Sequence, residues 1–431
     1  MKTTYYHYPL YISALLIPFG IITGPFLGDL FITIVSLSFV FVTFKERIYK
    51  YYNNIYFKFI FLFWLYLTIR SLFISDIYTF HHKLESFTTS FTYIRFFIAA
   101  LAIWYLLDTQ KSFLKFFLFI SFFSYLFVLL DGYFQNFNGK DVFGFSKPEK
   151  RLTGPFGKEQ VLGSYLARNI SLLVALFILF FGNKKRYLIN FLIFFSLICS
   201  FLSGERTSFA LIFFFSLLYL FFYNQLFYKK IIIFVLTLII LTSVFLLNKE
   251  SYQRFYYETG TAFGILHYEK EKKNHEAPEP VFKKFYLYSE AHQTHIRSAI
   301  MMFKENIFFG QGVKMFRYKC KDPNIYINNM SCTTHPHNTL AQFLGETGLV
   351  GTFFLIGIII YLIKELFNFF NQKLKKIIIS DKNLAKSCLI LSFCITFMII
   401  LPSGNFFNNW LSTQNFLPLG FYLYVHHNNS N

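Results

Sequence analysis

Residues 231–247 read IIIFVLTLIILTSVFLL, with Lys229 and Lys230 before them and Asn248 after. The stretch carries no charge, and at about 1.5 Å per helical residue it covers most of the roughly 30 Å of hydrocarbon in a bilayer. Eleven further apolar runs repeat the pattern, at approximately Tyr8–Phe26, Leu27–Phe44, Ile55–Ser75, Phe91–Leu107, Phe113–Phe134, Gln160–Gly182, Tyr187–Leu202, Thr207–Tyr223, Gly348–Phe369, Ser387–Ser403 and Leu411–Val425. The first, preceded by Lys2, has the look of a secretory signal, but no small-residue cleavage site follows it and eleven more spans do. The sequence predicts an all-α polytopic membrane protein of about twelve transmembrane helices. Residues 1–247 hold helices one to nine, 248–347 form one long loop carrying amphipathic helices, and 348–431 hold helices ten to twelve.

Composition agrees. Of 431 residues, 55% are apolar and only 15% charged, against about 25% charged in globular chains. Such a chain would expose large apolar patches in water, which excludes an ordinary cytosolic enzyme, a disordered protein and a disulfide-framework secreted domain. The 64 Phe and 30 Tyr accompany an excess of Ile, Lys and Asn, the signature of translation from AT-rich coding sequence. The net charge of +19 would suggest nucleic acid in a soluble protein. Here no nucleic-acid partner is expected, because the bilayer accounts for much of it.

Lys and Arg in short loops set orientation. With the N-terminus in the cytoplasm, the cytoplasmic loops carry Lys45, Arg47 and Lys50; Lys111 and Lys115; Lys184, Lys185 and Arg186; Lys229 and Lys230; and Lys373, Lys375, Lys376, Lys382 and Lys386. The segments facing the other way are then Asp76–Ser90, Gln135–Glu159, the turn Ser203–Arg206, the long loop from about Asn248 to Thr347, and Gly404–Trp410.

Basic residues kept on that outer side need a reason. They are Lys140, Lys147, Lys150, Arg151 and Lys158 between the fifth and sixth spans, and Arg206 in a four-residue turn. An anionic ligand at the outer membrane face supplies one, since a guanidinium fork matches phosphate oxygens; side chains snorkelling to headgroups are the alternative for the lysines. The tightness of Ser203-Gly204-Glu205-Arg206 leaves Arg206 little freedom. Arg168 is a lone charge about 13 Å into its span, placed either on a cavity for an anionic ligand or on a transporter's substrate path.

In the long loop, Lys283–Asn306 has helical spacing, with Phe285, Tyr288, His292, Ile296, Ala299, Ile300 and Phe303 on one face. Such a helix should lie on the membrane surface or cap the bundle, placing Arg297 at headgroup depth; a solvated arginine is the alternative. After Gly310-Gln311-Gly312 comes Thr334-His335-Pro336-His337-Asn338. Proline at a first helical position makes His335 the expected cap and places His337 in the first turn. The positive helix end there attracts phosphate oxygens and lowers the histidine pKa, leaving His337 neutral and able to accept a proton. Eight of the eleven histidines (81, 82, 267, 275, 292, 295, 335 and 337) fall in outer segments, so metal binding competes. His-Pro-His supplies two ligands with no third fixed by spacing, and no metal is assigned.

Cys199, Cys388 and Cys394 lie in apolar spans. Cys320 and Cys332 alone share an outer loop and bracket the approach to His335. In an oxidising periplasm they could pair and restrain His337; two free thiols are the alternative.

The Arg297 helix, Gly310-Gln311-Gly312, and His335-Pro336-His337-Asn338 with Gln342, Glu346, Gly348 and Gly351 together resemble the O-antigen ligase and O-antigen polymerase superfamily of bacterial membrane glycosyltransferases. The ligase pattern of His, Asn, nine residues, Gly, two residues, Gly is met by His337, Asn338, Gly348 and Gly351 without a gap. Ser203-Gly204-Glu205-Arg206 looks like the family's turn-arginine motif, and Arg151-Leu152-Thr153-Gly154 with Gly163-Ser164-Tyr165-Leu166 like its entry to the middle span. Motifs cover roughly Arg151 to Tyr361. One departure stands out: ligases often carry leucine four positions after the turn arginine, where this chain has Ala210, with Leu211 next.

The resemblance implies a metal-independent transferase without cofactor. It takes a glycan from undecaprenyl diphosphate at the periplasmic face of the inner membrane and passes it to the lipid A core, as ligases do, or to another lipid-linked glycan, as polymerases do. The implied catalytic residues are His337, Arg206 and Arg297, with Arg151, Arg168, His335 and Asn338 in substrate binding. The chemistry points the same way: a departing diphosphate needs charge neutralisation, and the acceptor hydroxyl needs a base, His337 ahead of Glu205 or Glu346. No paired carboxylates of glycosidase type are evident. A lipid-linked oligosaccharide flippase is the rival of another class, although the halves do not match and no Asp or Glu lies at a span's centre.

Overall fold

The computed structural model describes residues 5–75, 78–148, 151–224, 227–263, 286 and 288–428. Lys2, Asp76, Lys150, His267, His275, Lys283 and Phe285 lie outside the described residues. The order is α1 (Tyr8–Ile22), α2 (Pro25–Glu46), α3 (Ile55–Leu72), α4 (Phe80–Thr92), α5 (Ile94–Thr109), α6 (Phe113–Asn138), α7 (Leu162–Phe181), α8 (Arg186–Leu202), α9 (Arg206–Phe222) and α10 (Phe227–Leu247). There follow α11 (Lys249–Tyr252), a π-helical turn (Gln253–Tyr257), α12 (Glu258–Ala262), α13 (Glu290–Glu305), α14 (Phe316–Lys319), α15 (Thr339–Leu374), α16 (Asp381–Thr396) and α17 (Asn409–His427).

The protein is an all-α, multi-pass membrane protein. Each of the twelve apolar runs falls on a helix, and seven helical stretches among the described residues are long and apolar enough to cross a bilayer. Twelve crossings do not follow from helix length alone, since α1 has 15 residues and α16 has 16. The outer surface is apolar: Phe26, Leu37, Leu62, Phe123, Phe353, Ile363 and most large side chains of α10 are exposed, as hydrocarbon permits and water does not.

The interior is built on α5, α7, α16 and α17. Most of Phe96–Leu107 of α5 and of Leu411–Val425 of α17 is buried. Where apolar packing gives no advantage over lipid, interhelical hydrogen bonds and close contact hold helices together. Ser171 meets Ser392 at 2.6 Å, Asn169 Nδ2 donates to Gln414 at 2.8 Å, and Arg168 Nε donates to Asn415 at 3.2 Å. This polar belt joins α7, α16 and α17 beneath the functional cavity.

α15 is broken at Gly348, whose φ of 61° is left-handed. Backbone groups freed by a break must be paired elsewhere at this depth, and the loop's own main chain pairs them. Gln311 N donates to Gly345 O at 3.0 Å and Gly312 N to Glu346 O at 2.8 Å; Leu349 N reaches Ile307 O at 2.8 Å and Val350 N reaches Phe308 O at 3.1 Å. A Cβ on Gly348 would lie 2.5 Å from Gly310 N and from Phe308 O, so only glycine lets the chains approach this closely. Arg70 NH2 of α3 ties the junction down at Gly310 O, 2.7 Å away.

The amphipathic helix begins at Ser289, whose hydroxyl accepts from His292 N, rather than near Lys283, and Tyr288 precedes it with φ 73°. Its buried face is Thr294, His295, Ser298, Ala299 and Met302, not the face through Ile300, which is exposed. Ala299 and Met302 form a separate small core with Phe316, Cys320, Ile325 and Ala341, so the helix caps α15.

Candidate active site

The cap of α15 is Asn338, not His335. Its Oδ1 accepts from Ala341 N at 2.9 Å while its Nδ2 donates to Ile399 O at 2.8 Å, binding the helix start to the end of α16. Pro336 therefore lies outside the helix, because a side chain that both caps and bridges outweighs the proline signal. His337 sits just before the cap in the left-handed region, φ 54°. A non-glycine residue there costs about 1–3 kcal/mol and is held by its surroundings, here by Ser403 N donating to His337 O at 2.9 Å.

Four imidazoles crowd together. The His337 ring centroid is 4.0 Å from that of His335 and 5.4 Å from those of His292 and His295. His335 is fixed at both nitrogens, by Thr334 Oγ1 at 2.9 Å and Ser403 O at 3.2 Å, whereas the His337 ring nitrogens make no hydrogen bond among the described residues. Burial, then the neighbouring His335, His292 and His295, pushes His337 down to about 3. Burial likewise lowers His292 and His335 to about 4. The direction matches the sequence expectation, but the cause is desolvation and mutual crowding rather than the helix end. No group of three His, Cys, Asp or Glu among the described residues is arranged to hold a metal ion.

His292, His335 and His337 line a cavity of about 1130 Å³ with Arg151, Arg168, Arg206, Arg254 and Arg317. Arg206 opens α9 directly after the Ser203–Glu205 turn, and its NH1 donates to Thr259 at 3.1 Å. Arg151 donates to Gln160. Arg168 lies about 9 Å into α7, shallower than expected because the helix starts at Leu162; its NH1 reaches Ser164 Oγ at 2.8 Å. Of the sequence-selected residues, His337, His335, Arg206, Arg151 and Arg168 converge here. Arg297 does not: it is exposed on α13 and absent from the cavity wall. Asn338 acts behind the wall as the cap. Among the outer lysines, Lys147 pairs with Glu250 at 3.0 Å.

Two carboxylates, Glu159 and Glu205, face these five cations. Glu205 is buried and committed: it accepts from Gly163 N at 2.7 Å, Ser164 N at 3.0 Å and Ser208 Oγ at 3.0 Å, satisfying the first turn of α7 and fixing the Arg206 turn against it. Burial raises its carboxyl, offset by Arg151 and these donors. Glu346 is similarly occupied by Gln342 Nε2 at 3.0 Å and Phe316 N at 3.2 Å. Neither is a free base. Cys320 and Cys332 are joined, with Cα atoms 5.2 Å apart, tying α14 to the strand of chain leading to His335.

Arg254, Arg317 and His292 were not singled out for the site in the sequence. Arg254 reaches it from the π-helical turn, a distortion common at functional sites, and Arg317 from the four-residue α14. Neither sits in a motif, so only the folded loop reveals them.

Family comparison covers most of this geometry. Residues 191–356 match the O-antigen ligase family. The match supports the superfamily resemblance carried by His337, Asn338, Gly348 and Gly351, and it spans the Arg206 turn, Arg254, His292, Arg317 and the histidine pair. Arg151 and Arg168 fall outside it. No curated protein matches the chain. The motif of this O-antigen ligase-type segment now has a physical account: Asn338 caps, Gly348 breaks α15, and Gly351 faces the Thr347 side chain, which a Cβ there would meet at 2.1 Å.

Proposed function

We propose that the protein transfers a polysaccharide from undecaprenyl diphosphate to the lipid A core at the periplasmic face of the inner membrane, without metal or other cofactor. The observation that carries this is the cavity itself: five arginines and an unengaged His337 line it with two carboxylates, one of them already spent on the α7 helix start, and positive charge stays in excess even with Arg254 paired to Glu258 and Arg317 to Glu85 outside the lining. A leaving diphosphate needs such fixed positive charge, which acts strongly where water is excluded.

The acceptor hydroxyl attacks the anomeric carbon and gives its proton to His337. The new glycosidic bond forms as the bond to the diphosphate oxygen breaks, and the diphosphate leaves with the electron pair, neutralised by Arg206, Arg254 and Arg151. An anion beside the imidazoles raises their proton affinity, so the donor itself makes His337 a better base than it is in the empty cavity. The loop 248–347 is the catalytic segment, supplying Arg254, His292, Arg317, His335 and His337.

One observation favours polymerase instead: Ala210 stands where ligases carry leucine, and both Ala210 and Leu211 line the cavity. A deletion strain's polysaccharide ladder separates the two. Loss of all lipid A-attached polymer, with lipid-linked chains accumulating, supports ligase; a single repeat still attached means polymerase; an unchanged ladder sinks both.

A further inference from the structure

Of the cavity's five arginines, three gather at the α8–α9 turn, Arg168 belongs to α7, and Arg317 comes from α14 on the far side of the histidines. Around the α8–α9 turn, Arg254 and Arg151 pack against Gly204, Arg254 Nε donates to Gly204 O at 3.2 Å, and Arg151 is close enough to Arg206 to repel it. The second group is held from α4. Arg317 NH1 donates to Glu85 Oε1 at 3.1 Å, Tyr318 donates to the same carboxylate, and Lys314 Nζ stands 3.7 Å from it. His82, one turn before Glu85, stacks on Tyr318 with centroids 3.7 Å apart. Glu85 takes up only part of the guanidinium: Arg317 Nε is buried, and neither it nor NH2 makes a hydrogen bond among the described residues. His292 lies within electrostatic reach of Arg206 and His335 within reach of Arg317, with His337 packed against both rings.

A donor diphosphate occupies one cation group; a transfer reaction brings a second substrate to the other side of the proton-accepting group. We propose that Arg317, oriented by Glu85, forms a second anion subsite that binds a phosphate on the acceptor, so that the acceptor is a phosphorylated glycolipid. This rests on the transferase function proposed above. The two guanidinium nitrogens left without a partner, Nε and NH2, are the pair that grips two phosphate oxygens as a fork, which a lysine cannot reproduce; Nε is covered in the unliganded chain, so the phosphate is reached first by NH2. With Lys314 beside Arg317, Glu85 orients this side without cancelling its positive charge. Glu85 acts through Arg317 and is a positioning residue. Two acceptors offer this chemistry: the lipid A core through its sugar phosphates, and a lipid-linked glycan through its diphosphate.

The test uses the full chain in nanodiscs with a lipid-diphosphate glycan donor and three acceptors: lipid A core, the same core after phosphatase treatment, and a lipid-linked glycan. Arg317→Ala and Glu85→Gln are expected to raise the acceptor KM about tenfold and leave the donor KM unchanged, whereas Arg206→Ala shifts the donor KM. Phosphatase treatment should bring the wild type to the level of the Arg317 variant. Whichever phosphorylated acceptor saturates the wild type identifies the source. Should Arg317→Ala not fold, Arg317→Lys, which keeps the charge and loses the fork, should show the same acceptor shift at an unaltered thermal midpoint. Equal shifts in donor and acceptor KM, no shift at all, or full use of the dephosphorylated core by the wild type would overturn the proposal. Absence of transfer to every acceptor by the wild type overturns the transferase function and this subsite with it.

Discussion

At the residue scale, the proposed transfer gives His337 and Arg206 separable tasks, the one as base and the other as diphosphate clamp. Replacing His337 with Gln keeps a polar side chain and removes the base; general base catalysis is worth about 10²–10⁴-fold, and transfer should fall by that order while membrane abundance stays level. Abundance falling in step with activity would mean a folding role instead. The pH dependence follows from the lowered imidazoles. Because His337 is held near 3 and His292 and His335 near 4, against 6.5 for a free histidine, all three stay neutral well below neutrality. The rate of the free enzyme should therefore show no acid limb near pH 6.5. Stability runs the other way: the unfolded chain takes up protons first, so the cluster's contribution is complete above about pH 6.5 and is lost as pH falls toward about 4. The thermal midpoint should drop over that window, and drop less in His292→Gln. Arg206 and His337 were legible in the sequence because each sits in a short, locally constrained motif. Arg297, a catalytic residue only by the family resemblance, lies exposed and off the cavity wall, because helical spacing gives a face but not which face is buried and α13 buries His295, Ser298 and Met302 instead.

At the element scale, the decisive feature is the break in α15. Gly348→Ala places a Cβ 2.5 Å from the Gly310 amide and strains a φ of 61°, so it cannot be accommodated without parting the loop from the helix. The expected outcome is a destabilisation of more than about 1–3 kcal/mol, read as a lowered thermal midpoint in detergent; a midpoint equal to wild type would mean the loop does not clasp the break. The helices were legible because twelve apolar runs announce them, and every one falls on a helix. Their ends were less so. His335-Pro336 reads as a helix start, yet Asn338 wins by bonding to both Ala341 and Ile399, and its second partner is 61 residues away.

At the scale of the whole molecule, the cavity depends on segments far apart in sequence: Arg151 before α7, the α8–α9 turn, Arg254 after α10, Arg317 and the histidines before α15, and Ser403–Asn408 between α16 and α17 with Trp410 at the start of α17. That convergence is why Arg254 and Arg317 could not be read from spacing. It also makes a topological demand: the Ser203 turn and the segment around Pro336 must lie on one side of the membrane. Reporter fusions at both places should give the periplasmic signal; opposite signals would dissolve the site.

The main chain that seals the α15 break has one more consequence. Four amide pairs stitch residues 307–312 to Gly345, Glu346, Leu349 and Val350, and lifting this roof would leave all of them unmatched beside hydrocarbon. In the proposed transfer, a polymer of many sugars then enters along the flank of a rigid vault rather than beneath a swinging cover. A bolt can be placed here at the cost of a small shift: the position a Cβ would take on Gly345 lies 3.5 Å from the Ala299 Cβ, within the span of a disulfide, and 3.0 Å from the Ala299 carbonyl oxygen, which must give by a few tenths of an ångström. Oxidised Ala299→Cys/Gly345→Cys protein should turn over as fast as its reduced form, and a stalled enzyme would show that the roof opens after all.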